Sequence, residues 1–224
     1  MATREDQRSR RASRSMAAAV GVAAVSAAGI VLPGAPAEAY TLIGQGCHWD
    51  PNRSANLLMN QNTADGGDGT VNYYADWGAD IWRSANTEAP DIYSYFPAPP
   101  VAGQGNFEVR DYGDATSTNS GYTSTGGPPS WAAPSCGTSS WGSKPHMWLN
   151  RDKINQRDAA GHGTWNRSTA AHELGHVLGL GHAEGNASTC NPMPLMDAHA
   201  AHTNGCNVWQ TTSDEVNGVN KIYN

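Results

Sequence analysis

The sequence predicts an α+β fold, because both helical and strand patterns occur along the chain. Apolar residues recur at helical spacing over residues 72–84, which predicts an amphipathic helix. Apolar and polar residues alternate over residues 107–110, as expected for a strand, and a short apolar run at residues 147–149 predicts another. Thr212 and Glu215 have the spacing of a capping box, so a last helix is expected to follow them.

Between these two predicted strands, residues 113–143 are rich in Gly, Ser, Thr and Pro and contain few apolar residues. This composition predicts a long surface loop. The remainder of the chain after residue 39 shows no repeat and no long run of charge, so residues 40–224 are expected to form one domain.

The first 39 residues have the three parts of a secretory signal peptide. Five arginines lie within the first 15 residues, an uncharged run follows at residues 16–32, and Ala37-Glu38-Ala39 supplies the small residues of a cleavage site. The apolar run is short and weak for a membrane anchor, which needs about 20 residues. We therefore expect cleavage before Tyr40 and secretion, with Arg10 and Arg11 leaving the twin-arginine route open.

The exported part of the chain is acidic. The whole chain carries a net charge of −6, and residues 40–224 keep 9 basic and 17 acidic residues, a net charge of −8. A nucleic-acid-binding protein would need a basic surface, so nucleic acid is not an expected partner. No stable membrane association is expected either, and we expect a monomer.

All four cysteines lie in the exported part, where disulfides are the usual state. Three pairings are possible. We favour Cys190–Cys206, which closes a short loop, and this choice leaves Cys47–Cys136. A cysteine zinc site is disfavoured because no C-x-x-C spacing occurs.

The segment from His172 to His182 reads HELGHVLGLGH and carries the chemistry. On a helix, His172 and His176 lie about 40° apart around the axis and roughly 6 Å apart along it, so both imidazoles can bind one metal ion. The nearly opposite face carries apolar residues suited to burial: Ala170, Leu174, Val177 and Leu178. This pattern predicts a helix that is buried on one face and presents ligands on the other.

The ends of this helix are also predicted. Ser168 or Thr169 can cap its start, and Gly179 can end it in the left-handed conformation. Gly179 and Gly181 would then let the chain turn sharply and bring His182 toward the same ion as a third ligand. Three histidine ligands with an open fourth position are typical of catalytic zinc.

Glu173 lies about 100° around the helix from His172, where it can reach a water molecule at the metal. It is the predicted general base. Zinc lowers the pKa of bound water to about 7 and polarises a carbonyl group, so the expected reaction is hydrolysis of a peptide bond without a covalent intermediate.

The stretch His172–His182 matches every fixed position of the metzincin signature H-E-x-x-H-x-x-G-x-x-H. Together with the segment at residues 214–219, it resembles the matrixins, especially small secreted bacterial matrixin-like proteases. The resemblance implies a zincin-like (metzincin) catalytic domain with a twisted, mostly antiparallel sheet and helices. An upper part at about residues 40–182 and a small irregular lower part at about residues 183–224 would enclose a substrate cleft. It also implies that residues 147–149 lie on or near the substrate-binding edge strand.

The chain departs from the matrixin pattern after the third histidine. Ala183 follows His182, where matrixins usually carry Ser, and the spacing to the family's Met-turn is longer than usual. Met193 and Met196 are both candidates for the methionine beneath the zinc. We choose Met196, because Leu195-Met196 fits the apolar-Met pattern of the family.

Two further metal sites remain open. His146, His162, His199 and His202 could form a second structural zinc site of the kind the family often has, but their spacing favours surface histidines. Residues 65–69 resemble part of a calcium loop and lack its later bidentate acid, so an acidic turn is an equal alternative.

The sequence therefore predicts a secreted zinc metalloendopeptidase acting on protein or peptide substrates. The alternative is a non-catalytic secreted protein that binds cell wall or polysaccharide and retains the zinc-binding fold. Eight tryptophans suit such a binding role, although they form no stripe in the sequence. Glu173 distinguishes the two, because a binding domain has no chemical need for a base beside its ligands.

Overall fold

The five strands β1–β5 and four helices α1–α4 of the described chain follow one another in mixed order, as expected for α+β. The strands are Asn56–Gln61, Asp91–Tyr95, Phe107–Tyr112, Gly121–Ser124 and His146–Asn150. The helices are Thr70–Ser84, Arg151–Ala159, Gly163–Val177 and Ser213–Tyr223. The α+β prediction is confirmed.

The computed structural model describes part of the chain, within a compact unit that spans residues 38–224. The described residues are 42, 48, 56–61, 70–95, 107–124, 145–183, 193–197, 208 and 210–224. No described helix is long and apolar enough to cross a membrane. The predicted signal peptide, all four cysteines, residues 65–69, His199 and His202 lie outside the described residues.

The sheet is mixed and largely parallel, so the expectation of a mostly antiparallel sheet is wrong. The strand order is β2-β1-β3-β5-β4, and β4 alone runs antiparallel to its neighbour. For the parallel pair of β1 and β2, the reason is visible in the connection between them. Helix α1 lies between these two strands in sequence, and a helical crossover returns the chain to the same end of the sheet.

The predicted elements before the histidine motif are mostly found. Helix α1 begins two residues earlier than expected, and β3 extends the predicted strand by two residues. Residues 147–149 form the middle of β5, but β5 lies between β3 and β4. β5 is thus next to the sheet edge, which agrees with the prediction that residues 147–149 lie on or near the edge strand. The edge strand beside it is β4, which lies within the segment expected to be a surface loop.

Helix α2 was not predicted from the sequence. It buries only one side chain, that of Ile154, so it lacks the apolar periodicity of an amphipathic helix. Asn150 caps its start by accepting a hydrogen bond from the amide of Lys153. The same buried amide side chain donates to the carbonyls of Asp114 and Asn119, and so ties the loop before β4 to the helix.

Helices α1 and α3 cross in close contact. A Cβ on Gly78 of α1 would lie only 2.8 Å from the backbone nitrogen of Ala171, so glycine is what allows this approach. Trp82 on the same face of α1 donates its indole hydrogen to the carbonyl of Ala171 at 2.8 Å. These contacts fix α3, which carries the histidine motif, against the core.

Helix α4 confirms the predicted capping box. The hydroxyl of Thr212 accepts a hydrogen bond from the amide of Glu215, and the carboxylate of Glu215 accepts one from the amide of Thr212 at 2.7 Å. Val219 is fully buried, and Ile222 and Tyr223 pack against the core.

Candidate metal centre

Helix α3 begins at Gly163, so the predicted cap at Ser168 or Thr169 is wrong. Both side chains are buried within the helix, and the hydroxyl of Thr169 donates to the carbonyl of Trp165 one turn earlier. The start is displaced because α2 leads almost directly into α3 through a short turn at Gly161, where φ is +77°. Buried residues of α3 are also found outside the one helix face that was predicted to be buried.

The end of the helix is as predicted. Its last residue is Val177, and Gly179 has a φ of +105°, in the region that favours glycine. The amide of Leu180 returns to the carbonyl of Gly175 at 3.0 Å. This tight turn sends the chain back along the helix to His182.

The structure brings His172, His176 and His182 together. One ligand atom from each histidine lies within 4.8 Å of the other two. His172 is buried, His176 is half-buried and His182 is exposed, so the cluster is open to solvent on the side of His182. Among the described residues, this is the one group of at least three His, Cys, Asp or Glu side chains that could hold a metal ion.

Backbone carbonyls fix the first two imidazoles. Nδ1 of His172 lies 2.8 Å from the carbonyl oxygen of Leu195, and Nδ1 of His176 lies 2.7 Å from that of Leu180. A carbonyl oxygen only accepts hydrogen bonds, so Nδ1 must carry the hydrogen in both rings. In the neutral imidazoles Nε2 then has the lone pair that a metal ion needs.

Both rings favour the neutral form. Burial lowers the pKa of His172 to about 4, against the hydrogen bond to Leu195, which raises it. Burial also lowers the pKa of His176 well below its ordinary value, and the neighbouring His172 lowers it further. These histidines are therefore ready to bind a cation without first losing a proton.

The donor set fits zinc. Zn²⁺ is commonly bound by neutral imidazole nitrogens, and three protein ligands leave a fourth position for water or substrate. Two of the three rings are held in one tautomer by carbonyls, which is the usual outer support of a metal-binding histidine.

Glu173 is buried next to this cluster and faces β4. Its exposed fraction is 5%, and burial raises the pKa of its carboxyl group to about 8. The hydroxyl of Thr123 lies 3.0 Å from Oε2 of Glu173 and lowers that pKa. A Cβ at Gly121 would lie 3.0 Å from Cγ of Glu173, so the carboxylate side chain occupies the space above this glycine.

Met196 packs against α3 at Gly175. It is fully buried in the main core, and its Sδ would be only 2.3 Å from a Cβ on Gly175. Met193 is also buried but does not belong to that core cluster. Met196 therefore packs against the helix between the first two histidines, and its role as the Met-turn residue stays a prediction.

The groups that support the histidines and Glu173 were not predicted from the sequence. The supporting carbonyls belong to Leu180 and Leu195, whose side chains carry no signal of such a role. Thr123 lies in a segment rich in Ser and Thr, where one hydroxyl cannot be singled out. Glu215 is predicted as a helix cap. Its carboxylate also accepts a hydrogen bond of 2.6 Å from the amide of Met196, which lies 19 residues earlier in the sequence, and this contact has no local signal.

The other histidines that lie within the described residues have separate surroundings. His146 lies 3.8 Å from the carboxylate of Glu108, and His162 stacks on Trp165 with ring centres 4.1 Å apart. The second structural zinc site and the calcium site stay predictions.

The fold and the site together define an α+β protein with a three-histidine cluster that could hold a metal ion and an adjacent buried glutamate. The matrixin family model, peptidase M10, matches residues 80–224, well over half of the chain. The chain therefore belongs to the matrixin family. Membership suggests a metallopeptidase, with peptides as substrates.

Comparison with individual proteins adds little. No curated protein matches the chain significantly. One solved structure with some likeness, described as "GM1 bound form of the ECX AB5 holotoxin", is 12% identical. The match covers 83% of this chain and 89% of that one, but its TM-score of 0.44 is too low to bear on fold or function.

Proposed function

We propose that this protein is a secreted zinc-dependent endopeptidase. The observation that carries the proposal is the cluster of His172, His176 and His182, in which backbone carbonyls fix the first two rings with Nε2 available to a metal. These three side chains would hold the zinc ion. When bound, zinc supplies Lewis acidity, which acidifies water and polarises a substrate carbonyl.

Glu173 is the proposed general base and then the general acid. In its ionised form the carboxylate can accept a proton from the attacking water, and the positive charge of a bound zinc ion would favour that form, although burial raises the pKa of the metal-free group. The same carboxyl group then returns the proton to the leaving amine, so that the peptide bond is broken and Glu173 is ionised again. Burial of this group supports the assignment, because a non-catalytic binding domain would gain nothing from an acidic side chain with so little exposure.

We further propose that the substrate binds along β4. This strand lies at the edge of the described sheet and contacts Glu173 through Thr123. An extended peptide can add to an edge strand by backbone hydrogen bonding, which would place its carbonyls beside the site. In this proposal β4 is the substrate-binding edge strand, and residues 147–149 lie on the strand next to it.

We also propose that the protein is exported and that it is a monomer. The basic, apolar and small-residue segments of residues 1–39 support secretion, with cleavage before Tyr40. Two disulfides, Cys190–Cys206 and Cys47–Cys136, would suit an extracellular protein.

Cleavage of casein by the purified protein, with and without a zinc chelator, tests the function. We expect cleavage to stop with the chelator and to return when zinc is added. Glu173→Ala should abolish cleavage, whereas Glu88→Ala, which changes an exposed glutamate, should leave it intact. Undiminished cleavage by Glu173→Ala would contradict the proposed mechanism.

The contribution of His182 to zinc binding needs its own measurement, because this side chain is exposed and burial does not hold it in place. His182→Ala should lower the zinc affinity of the purified protein. An unchanged affinity would remove His182 from the ligand set.

A further inference from the structure

Thr123 on β4 makes two contacts with Glu173 on α3. Its Oγ1 lies 2.9 Å from the backbone carbonyl oxygen of Glu173 and 3.0 Å from the carboxylate oxygen Oε2. A hydroxyl has one hydrogen, so Thr123 can donate to only one of these two oxygens at a time, and its lone pairs can accept a hydrogen bond from the carboxyl group when Glu173 is protonated. Thr123 thus touches both the backbone and the reactive end of the same residue.

No other described residue makes a hydrogen bond to this carboxylate. Glu173 is buried, and Thr123 supplies the polar contact that partly offsets the loss of water. A buried carboxylate that loses its partner is destabilised and free to rotate toward other polar groups or water. Among the described residues, Thr123 is therefore the one hydrogen-bond partner that can hold this carboxylate in a fixed orientation.

The strand geometry explains how Thr123 reaches the helix. β4 pairs antiparallel with β5, with Thr123 opposite Met147 and Gly121 opposite Leu149. Residues two apart on a strand point to the same face, so Gly121 and Thr123 both face α3. The missing side chain of Gly121 leaves space for the Glu173 methylenes, and the hydroxyl of Thr123 meets the end of that side chain.

We propose that Thr123 is a positioning residue that holds the Glu173 carboxylate in the orientation required for proton transfer. The inference deepens the proposed peptidase function and rests on it. Because a hydroxyl both donates and accepts, Thr123 can remain bonded to Glu173 before and after the carboxylate takes up a proton. A purely structural threonine would need only the contact to the backbone carbonyl.

Two substitutions separate these roles in the full, zinc-loaded protein. Thr123→Val keeps the shape and removes the hydroxyl, whereas Thr123→Ser keeps the hydroxyl. The kcat and KM for a fluorogenic peptide cut by the wild type would be measured alongside zinc content and Tm. Thr164→Val, which changes an exposed residue at the start of α3, is the matched control.

We expect Thr123→Val to lower kcat by about tenfold or more, because the buried carboxylate loses a hydrogen bond that orients it, with KM and zinc content unchanged. Thr123→Ser should restore most of kcat. Wild-type kcat in Thr123→Val, or a Ser variant that is no better than the Val variant, would overturn the proposal.

A second measurement does not depend on activity. Crystal structures of the metal-free proteins should show Glu173 in one orientation in the wild type and Thr123→Ser, and in a different or divided orientation in Thr123→Val. The same single orientation in all three would overturn the positioning role. Full activity of Glu173→Gln, in contrast, would show that the proposed function itself had failed.

Discussion

The carbonyl oxygen of Leu195 lies 2.8 Å from Nδ1 of His172, although the two residues are 23 positions apart. The next residue, Met196, donates its amide hydrogen to the buried carboxylate of Glu215 at 2.6 Å. That carboxylate also accepts from the amide of Thr212 at the start of α4. A continuous set of contacts therefore joins the last helix to the first histidine of the metal centre.

Glu215→Ala tests this connection. It should lower the free energy of unfolding by about 2 kcal/mol or more, because the amides of buried Met196 and half-buried Thr212 would lose their acceptor. It should also weaken zinc binding by about tenfold, since the Leu195 carbonyl would no longer be held against His172. Denaturant unfolding and zinc titration would measure the two effects.

The control for this variant is Asn217→Ala, an exposed position on the same helix. It should change neither stability nor zinc affinity appreciably. A folded Glu215→Ala protein with wild-type zinc affinity would show that the contacts from Glu215 to His172 do not contribute to zinc binding.

The pH dependence of stability should reveal the buried carboxyl group of Glu173 in the metal-free protein. Its pKa is raised from 4.5 to about 8, so the folded state keeps a proton that the unfolded state releases between these values. Glu173 therefore lowers stability progressively as the pH rises from 4.5 to 8. Each pKa unit corresponds to about 1.4 kcal/mol.

Glu173→Gln removes this titration. The metal-free variant should become increasingly more stable than the metal-free wild type as the pH rises toward 8, and the difference should shrink toward pH 4.5. His172 and His176 titrate in both proteins, so their effect cancels in the comparison. A stability difference that stays constant across this range, measured by urea unfolding, would contradict the assigned shift.

Substitutions at Gly175 and Met196 should have coupled effects on the free energy of unfolding, because the two residues are in direct contact. An exposed Gly→Ala change in a helix usually stabilises it by up to about 1 kcal/mol. Here the added Cβ would overlap with Sδ of Met196 and lie 2.9 Å from the Trp82 ring, so we expect Gly175→Ala to cost about 1–3 kcal/mol.

Removing the Met196 side chain should relieve part of this overlap. Met196→Ala alone is expected to cost about 2–5 kcal/mol by leaving a cavity. The double variant should therefore lose less stability than the two single changes together. Strict additivity in thermal or denaturant unfolding would show that the two side chains do not compete for space.

Local chemistry explains why some of the structure was predictable. The capping box of Thr212 and Glu215 spans one turn of helix, and the spacing of His172 and His176 follows from helix geometry alone. The turn at Gly179 likewise depends on one residue without a side chain. In each case the interacting groups are close neighbours in the sequence.

Tertiary contacts explain what was not predictable. Strand β4 has few apolar residues and exists as a strand because it pairs with β5, so its sequence resembles a loop. Helix α2 buries only Ile154 and carries no periodic signal. The mostly antiparallel sheet was inferred from family resemblance, and the strand pairing of this chain does not follow that expectation.

In the proposed mechanism, three histidines hold zinc while Glu173 moves the proton. The most direct test is to measure peptide hydrolysis and zinc content together in the wild type and in Glu173→Gln. We predict equal zinc content in the two proteins and a kcat about 10²- to 10⁴-fold lower in the variant, the usual contribution of a general acid–base group. Equal zinc content with wild-type kcat in Glu173→Gln would contradict the claim.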